Sequence, residues 1–375
     1  MNKTLGLLGA GQTARLLALA ALRRGLNVLV LDPMADAGTR AMGHQIIAGW
    51  DDQAALQELG RRADLVGVEP ETVPADAVQA LSSACPLYPP ADTLVLSQDR
   101  LRARQWMQGL EMPQVPFLAV ASRPQLLEAV EQLGFPCVLK TRRWAVDGKL
   151  QAVLRFHEDL ERAWQRLGEF DLICERFVRC DAEYALTAAR GRDGKCVYWP
   201  LTRKLHRNGA LAVTMAPVMN PHLQARAERL ADGLLDHLGH VGVFVLELFS
   251  TGGDLLVNEF VPGPHDSAHW TIDGAPSSQF DNHLNALFGA PLGEAGEARR
   301  SVTFYLSGSI PGESLRRESP ANAAWHDYRM QPLAGCKLGH VTVTAKSEAG
   351  LRARAAQLAG LLGVSAELDL EAILS

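Results

Sequence analysis

Residues 241–270, VGVFVLELFSTGGDLLVNEFVPGPHDSAHW, constrain the fold more than any other stretch of the chain. Two apolar runs flank Thr251-Gly252-Gly253, the pattern of a β-hairpin. Each arm carries one carboxylate where a core residue is expected: Glu247 in VFVLELF and Glu259 in LLVNEF. A three-residue loop at 252–254 pairs 251 with 255, and therefore 247 with 259, as direct cross-strand neighbours. A two-residue loop leaves them one position out of register. Like charges directly opposed destabilise a sheet, and buried unpaired carboxylates are costly. Something positive must compensate, and a hard divalent cation with oxygen ligands is the economical answer. The alternative is a solvated edge hairpin, but Phe244, Val245, Leu246, Leu248 and Phe249 show no polar alternation. Glu247 and Glu259 are therefore candidate metal ligands. Asn258 alternates away from Glu259 on a regular strand, so it is not counted as a direct ligand.

The 375 residues are enough for two or three domains with ample core. A formal charge of −5 without a basic block argues against nucleic acid as a partner. The six cysteines lie mostly in apolar runs without CxxC spacing, which suits buried thiols of a reducing compartment. No apolar run reaches the roughly 18 residues of a membrane span. No basic segment with a cleavable apolar run precedes the first strand, so a cytoplasmic protein is expected.

The chain opens on an apolar strand, TLGLL, then Gly9-Ala10-Gly11-Gln12-Thr13-Ala14, a helix, and a strand NVLVLD ending at Asp32. This G-x-G-x-x-A turn with a following acid is the dinucleotide-fold opening, and on its own it leaves an NAD-linked enzyme open. The alternation continues through a helix at 53–62, a strand at 63–69 and a helix from Pro74 to a first domain closed by Pro89-Pro90. SQDRLRARQWMQGL is predicted as a helix capped by Ser97. Strands and a helix then fill 117–140, and Asp147-Gly148-Lys149 marks the tip of an outward hairpin. Strands follow at 171–178, 183–190, CVYWP and ALAVTMAPV, then a helix at 221–239 before the glutamate hairpin. A helix at 277–288, a strand at 301–306, a polar loop, the strand KLGHVTVTA and a helix from Glu348 complete the chain.

Several motifs fall into one order: GAGQTARLLALAA, LDP, VEPETVPA, SQDRLRARQ, VLKTRR with DGKLQ, LICERFV, VNEFVPGPHDSAHWT, SQFDNHLNALFGAPLG and KLGHV. Together, from about residue 4 to 345, they resemble the N5-carboxyaminoimidazole ribonucleotide synthetase family of ATP-grasp ligases. The resemblance implies an α/β fold, α+β in the grasp region: a Rossmann-like domain at 1–95, an ATP-grasp domain at 96–300 with a lid at about 115–180, and a C-terminal domain at 301–375. It also implies a purine-pathway reaction in which ATP and bicarbonate give carboxyphosphate, whose carboxyl passes to the amine of aminoimidazole ribonucleotide. Such chemistry works by positioning and charge neutralisation.

Carried over by position, the resemblance places Mg2+ on Glu247 and Glu259, in agreement with the hairpin argument. It places ATP against Arg104, Lys140, the covering loop Asp147-Gly148-Lys149, Glu175, the hinge Phe177-Val178, Glu183 and Asn258. The acceptor side takes Gln12, Glu71, His265, Ser267 and Lys337, with Lys149 and His265 as catalytic candidates. Family members are commonly dimers, which makes a homodimer an expectation.

The departures cluster. Gly263 stands where the family has arginine, and Met330, Leu333 and Cys336 stand at three cationic positions, leaving Lys337 and Arg329. Arg104 replaces a lysine, Thr72 an asparagine, and Asp266 the asparagine of the substrate loop. A phosphate dianion wants several charge-assisted donors. These losses therefore predict weak binding of aminoimidazole ribonucleotide, unless Arg142, Arg143 or Arg203 restores the charge. The sequence is compatible with the family reaction, a paralogue with a non-phosphorylated acceptor, a non-catalytic nucleotide-binding protein, and the NAD-linked enzyme.

Overall fold

A computed structural model describes residues 2–35, 38–69, 73–143, 150–207, 209–332 and 336–364. The first unit runs β1 (Thr4–Leu8), α1 (Gln12–Arg23), β2 (Asn27–Asp32), β3 (His44–Ile47), α2 (Gln53–Arg62), β4 (Leu65–Val68), α3 (Ala75–Ser82) and β5 (Leu87–Tyr88). Its strands form one parallel sheet in the order β3-β2-β1-β4-β5. Helices cover both faces, so β1 and β4 read as unbroken apolar runs.

Two short helices follow, α4 (Ala91–Ser97) and α5 (Arg100–Gly109). The predicted cap is displaced. Ser97 ends α4 and donates its hydroxyl to the Leu94 carbonyl, while Asp99 caps α5 by accepting from Leu101 and Arg102 amides at 3.1 and 3.3 Å. A carboxylate immediately before the first turn outcompetes a serine that its own helix already engages.

The second sheet comprises β6 (Phe117–Val120), β7 (Cys137–Thr141), β8 (Gln151–Leu154) and β9 (Leu172–Arg176), antiparallel in the order β6-β9-β7-β8. Helices α6 (Arg123–Leu133) and α7 (Glu158–Leu167) pack Leu126, Val130, Leu160 and Leu167 against one face. Lys140 and Glu175 alternate onto the other face.

The third sheet is the largest. It contains β10 (Ala182–Arg190), β11 (Cys196–Tyr198), β12 (Thr202–Arg207), β13 (Ala210–Ala216), β14 (Gly242–Thr251), β15 (Asp254–Val261), β16 (Arg300–Ser307), β17 (Ala323–Asp327) and β18 (Lys337–Ala345). The order is β15-β14-β10-β12-β13-β16-β18-β17, with β11 on β10. Helices α8 (Pro221–Leu238), α9 (Thr271–Gly274), α10 (Gln279–Phe288), α11 (Glu313–Arg317) and α12 (Glu348–Leu361) accompany it. The C-terminal strands thus continue the sheet that carries the glutamate hairpin. Strand β12, TRKLHR, escaped the sequence reading because the face it buries is polar. Strand β17 escaped inside what reads as a polar loop.

The hairpin corrects the sequence argument in its route, not its destination. The turn is the two-residue Gly252-Gly253, with φ of 57° and 86°, and Thr251 pairs with Asp254. That register would place Glu247 opposite Asn258. A β-bulge after the Leu248–Val257 pair passes over Asn258 and restores Glu247 opposite Glu259. The bulge also breaks the alternation that had turned Asn258 away: Asn258 and Glu259 now line the same recess.

Candidate active site

The positive partner demanded by Glu247 is Lys204. Its Nζ lies 2.6 Å from Glu247 Oε2, and both side chains are buried. Lys204 sits on β12 opposite Glu183, and the intervening Ala185 of β10 pairs with Glu247 on one side and Thr202 on the other. A small side chain there leaves room for the lysine to cross. Burial alone would raise the Glu247 carboxyl, but Lys204 and then His265 hold it below its ordinary value. Burial would likewise lower Lys204, and Glu247 and Glu183 outweigh it. Both groups stay charged. Glu183 itself pairs with His206 Nδ1 at 2.9 Å. Nothing in TRKLHR signals a buried lysine except its spacing of two from Thr202 and His206, which puts all three on one face.

Glu175 has both oxygens engaged within the protein. Arg104 Nε reaches Oε1 at 2.9 Å and Lys140 Nζ reaches Oε2 at 2.6 Å. Burial opposes ionisation, yet the two cations hold the carboxyl down at about 2. Glu175 therefore orients Lys140 and Arg104. Arg104 also donates to the Val257 carbonyl at 2.9 Å and approaches Asn258 Oδ1 at 3.5 Å. Its fork joins the second sheet to the bulge, a geometry a lysine cannot supply. At the hinge Phe177 is exposed and Val178 half-buried, and the Phe177 amide is spent on the Pro136 carbonyl at 3.2 Å.

The loop after the hairpin is clamped by Gln279, another residue the sequence reading missed. It accepts from the His265 amide at 2.9 Å and donates to the His265 carbonyl at 2.8 Å. His265 Nδ1 lies 2.9 Å from Ser267 Oγ and 3.9 Å from Glu247 Oε1, and Nε2 lies 3.2 Å from Asp266 Oδ1. Lys337, expected to face the acceptor, forms a buried ion pair with Asp266. Met330 packs against Gly38 and the core around α1.

The N-terminus of α1 is engaged as well. Gly11 donates its amide to Glu69 Oε2 at 2.7 Å, and a Cβ at Gly11 would sit 2.5 Å from that carboxylate. Asp32 accepts from the Met34 amide at 2.8 Å and closes its own turn. The two features that suggested NAD are therefore used internally: a carboxylate occupies the anion-favouring helix end. Gln12 is half-buried at the same end. Glu71, Asp147, Gly148, Lys149, Thr72 and Leu333 lie outside the described residues.

A cavity of about 310 Å3 joins these parts, bounded by Pro74, Arg100, Arg142, Arg143, Glu259 and His265. The first parallel unit and the hairpin thus share one cleft. Asp99, almost wholly buried, holds Arg142 Nη2 at 2.6 Å and Arg143 Nε at 3.5 Å. Arg100 reaches Glu259 at 3.7 Å. An adjoining recess is lined by Lys140, Arg104, Asn258 and Glu259. Glu247, with Oε2 on Lys204, and the half-exposed Glu259 offer an all-oxygen donor set, extended by the Asn258 amide. That set fits a hard divalent cation.

A ribonucleotide synthetase preATP-grasp domain model matches residues 1–98, and an ATP-grasp domain model matches residues 105–280. The N5-carboxyaminoimidazole ribonucleotide synthase of Pseudomonas aeruginosa is 38% identical over 358 residues, covering 96% of this chain and 99% of that protein. This chain belongs to the N5-carboxyaminoimidazole ribonucleotide synthase family. The Thermus thermophilus synthetase superposes with a TM-score of 0.90 at 38% identity, covering 97% of this chain and 99% of that one. An ADP complex of an N5-carboxyaminoimidazole ribonucleotide synthetase gives 0.91 at 29% identity, with 96% of each chain covered. As a member of the synthase family, the chain is an ATP-binding, C–N bond-forming ligase with the ATP-grasp fold. Among the described residues no helix is long and apolar enough to cross a membrane.

Proposed function

We infer that this ligase carboxylates the amine of aminoimidazole ribonucleotide at the cost of ATP, in the cytoplasm, with Mg2+ held by Glu247 and Glu259. The observation that carries the reading is the shared cleft: Glu259, the cross-strand partner of the buried, charge-compensated Glu247, faces one cavity with a triad of arginines and His265, between the parallel unit and the hairpin. Lys140 and Arg104, fixed by Glu175, supply cations on the nucleotide side. The divalent ion would neutralise phosphate charge when bound. Lys204 keeps Glu247 ionised in the absence of any ligand, so the ligand oxygen is ready without a prior deprotonation. His265, held by Gln279 and Ser267, faces the acceptor end of the cavity and positions a polar group there.

Arg142 and Arg143 support a phosphorylated acceptor, because they bring charge to the cleft that Gly263, Met330 and Cys336 do not. A second reading, a non-phosphorylated acceptor, is favoured by one observation: both remaining cations are already paired, Lys337 with Asp266 and Arg329 with Asp327. Steady-state ADP release decides between them. Efficient bicarbonate-dependent turnover at micromolar aminoimidazole ribonucleotide supports the first reading. Turnover with bicarbonate and another amine, but not with the ribonucleotide, supports the second. A homodimer, to be checked by sedimentation, accompanies either.

A further inference from the structure

Outside the cleft, three side chains with metal-binding chemistry converge where α9 meets the C-terminal strands. His326 on β17 and His340 on β18 are direct cross-strand partners, their rings stacked with centroids 4.4 Å apart. Asp273, on α9, places a carboxylate oxygen 2.9 Å from His326 Nε2. One ligand atom from each of the three lies within 4.8 Å of the others. His340 is fully buried, and Tyr328 Oη touches its Nδ1 at 2.8 Å. Its Nε2 has no hydrogen-bond partner among the described residues. A buried polar atom without a partner is costly, and an ion drawn in by the neighbouring Asp273 and His326 would satisfy it.

The donor set selects the ligand. Two imidazoles and one carboxylate suit zinc and its neighbours far better than magnesium or calcium. Tyr328 at Nδ1 is the kind of outer partner that fixes the tautomer of a ligating histidine: with Nδ1–H donating to the tyrosine oxygen, Nε2 presents its lone pair. Metal–nitrogen bonds of about 2.0–2.1 Å require the three ligand atoms to draw inward on binding, and the stacked rings of His326 and His340 to tilt so that both in-plane lone pairs meet the ion. Asp273 and His326 keep 20% and 18% of their side-chain surface exposed, so an ion can enter from solvent and water can complete the coordination.

We propose that Asp273, His326 and His340 bind one borderline divalent transition-metal ion, zinc or a close neighbour, that clamps α9 to the β17–β18 edge of the large sheet. The helix α9 follows directly from the segment bearing His265 and Asp266, so the clamp fixes the acceptor loop against the C-terminal strands. The site is structural and lies apart from Glu247 and Glu259.

The test uses the full chain, stripped with a chelator and free of ATP, with excess Mg2+ present to hold the Glu247–Glu259 site, titrated with Co2+ and then Zn2+. The expected result is one Co2+ per chain with the visible bands of nitrogen and oxygen coordination and no thiolate charge-transfer band. Zn2+ should displace it and raise Tm. His326→Gln and Asp273→Asn, both at the rim, should weaken binding by about a hundredfold. Wild-type affinity in either folded variant overturns the site. A thiolate band, or no stoichiometric binding to the wild-type chain, overturns it without reference to any variant.

Discussion

Lys204 Nζ lies 2.6 Å from Glu247 Oε2, reaching it across the strand between them. This ion pair supplies the charge compensation that the glutamate hairpin requires, and it does so before any ligand arrives. Removing one partner of a buried pair strands the other charge. Lys204→Met is therefore expected to lower stability by about 3–5 kcal/mol, read as a shift of the urea midpoint at constant m. The double variant with Glu247→Gln should recover a large part of that stability and none of the ATP turnover. If the double variant is as unstable as the single one, the pair is not the source of the loss.

The two hairpin glutamates should respond differently to the same change. Glu259 is half-exposed, so Glu259→Gln is expected to stay within about 0.5 kcal/mol of wild type. Glu247→Gln strands Lys204 and should be measurably less stable. Both should lose magnesium-dependent ATP turnover by about a hundredfold or more. Persistent turnover in both, measured by ADP release, would remove them from the metal site.

Glu175 makes stability depend on acid. Its carboxyl is held at about 2 in the folded chain against an ordinary 4.5. A depressed acid contributes stability that is complete above about pH 4.5 and is lost as pH falls through about 2. The linkage is worth about 3 kcal/mol. Glu175→Gln should therefore be less stable at pH 7, with the gap to wild type closing between about pH 4.5 and 2. A gap that stays constant across that window in denaturant titrations contradicts the assignment.

Arg143 is half-exposed at the cavity wall and shares Asp99 with the less exposed Arg142. Arg143→Ala should leave Tm nearly unchanged. It should lower kcat/KM for the acceptor about tenfold or more, with KM for ATP little altered. An equal loss in both substrates would place the residue on the nucleotide side instead.

The elements that sequence revealed are those whose buried faces are apolar. Strand TLGLL, the helix at 53–62 and strand KLGHVTVTA stand where their hydrophobic pattern put them. The opposition of Glu247 and Glu259 was legible because carboxylates are conspicuous in an apolar run. Lys204 was not, since a polar strand facing a cleft has the composition of a loop. Glu69 and Asp99 were hidden differently. Each satisfies backbone amides or cations distant in sequence, and no local pattern records such a partner. The ion pairs of Glu175 were hidden for the same reason: Lys140 and Arg104 approach it from other elements. Buried polar networks are specified by tertiary geometry, whereas apolar periodicity is specified by the element itself.

Turn and bulge in the glutamate hairpin are related by parity. Gly252-Gly253 displaces the two arms by one position, and the passed-over Asn258 displaces them back. Were the ladder to run on from the turn without the bulge, every β15 side chain beyond Val257 would swing to the opposite face, carrying Glu259 out of the cleft and Phe260 into it. A residue added at the turn tip is taken up by the loop and leaves the pairing of Thr251 with Asp254 as it is. The bulge at Asn258 therefore decides which face the second carboxylate takes, and the turn tip is free to vary in length.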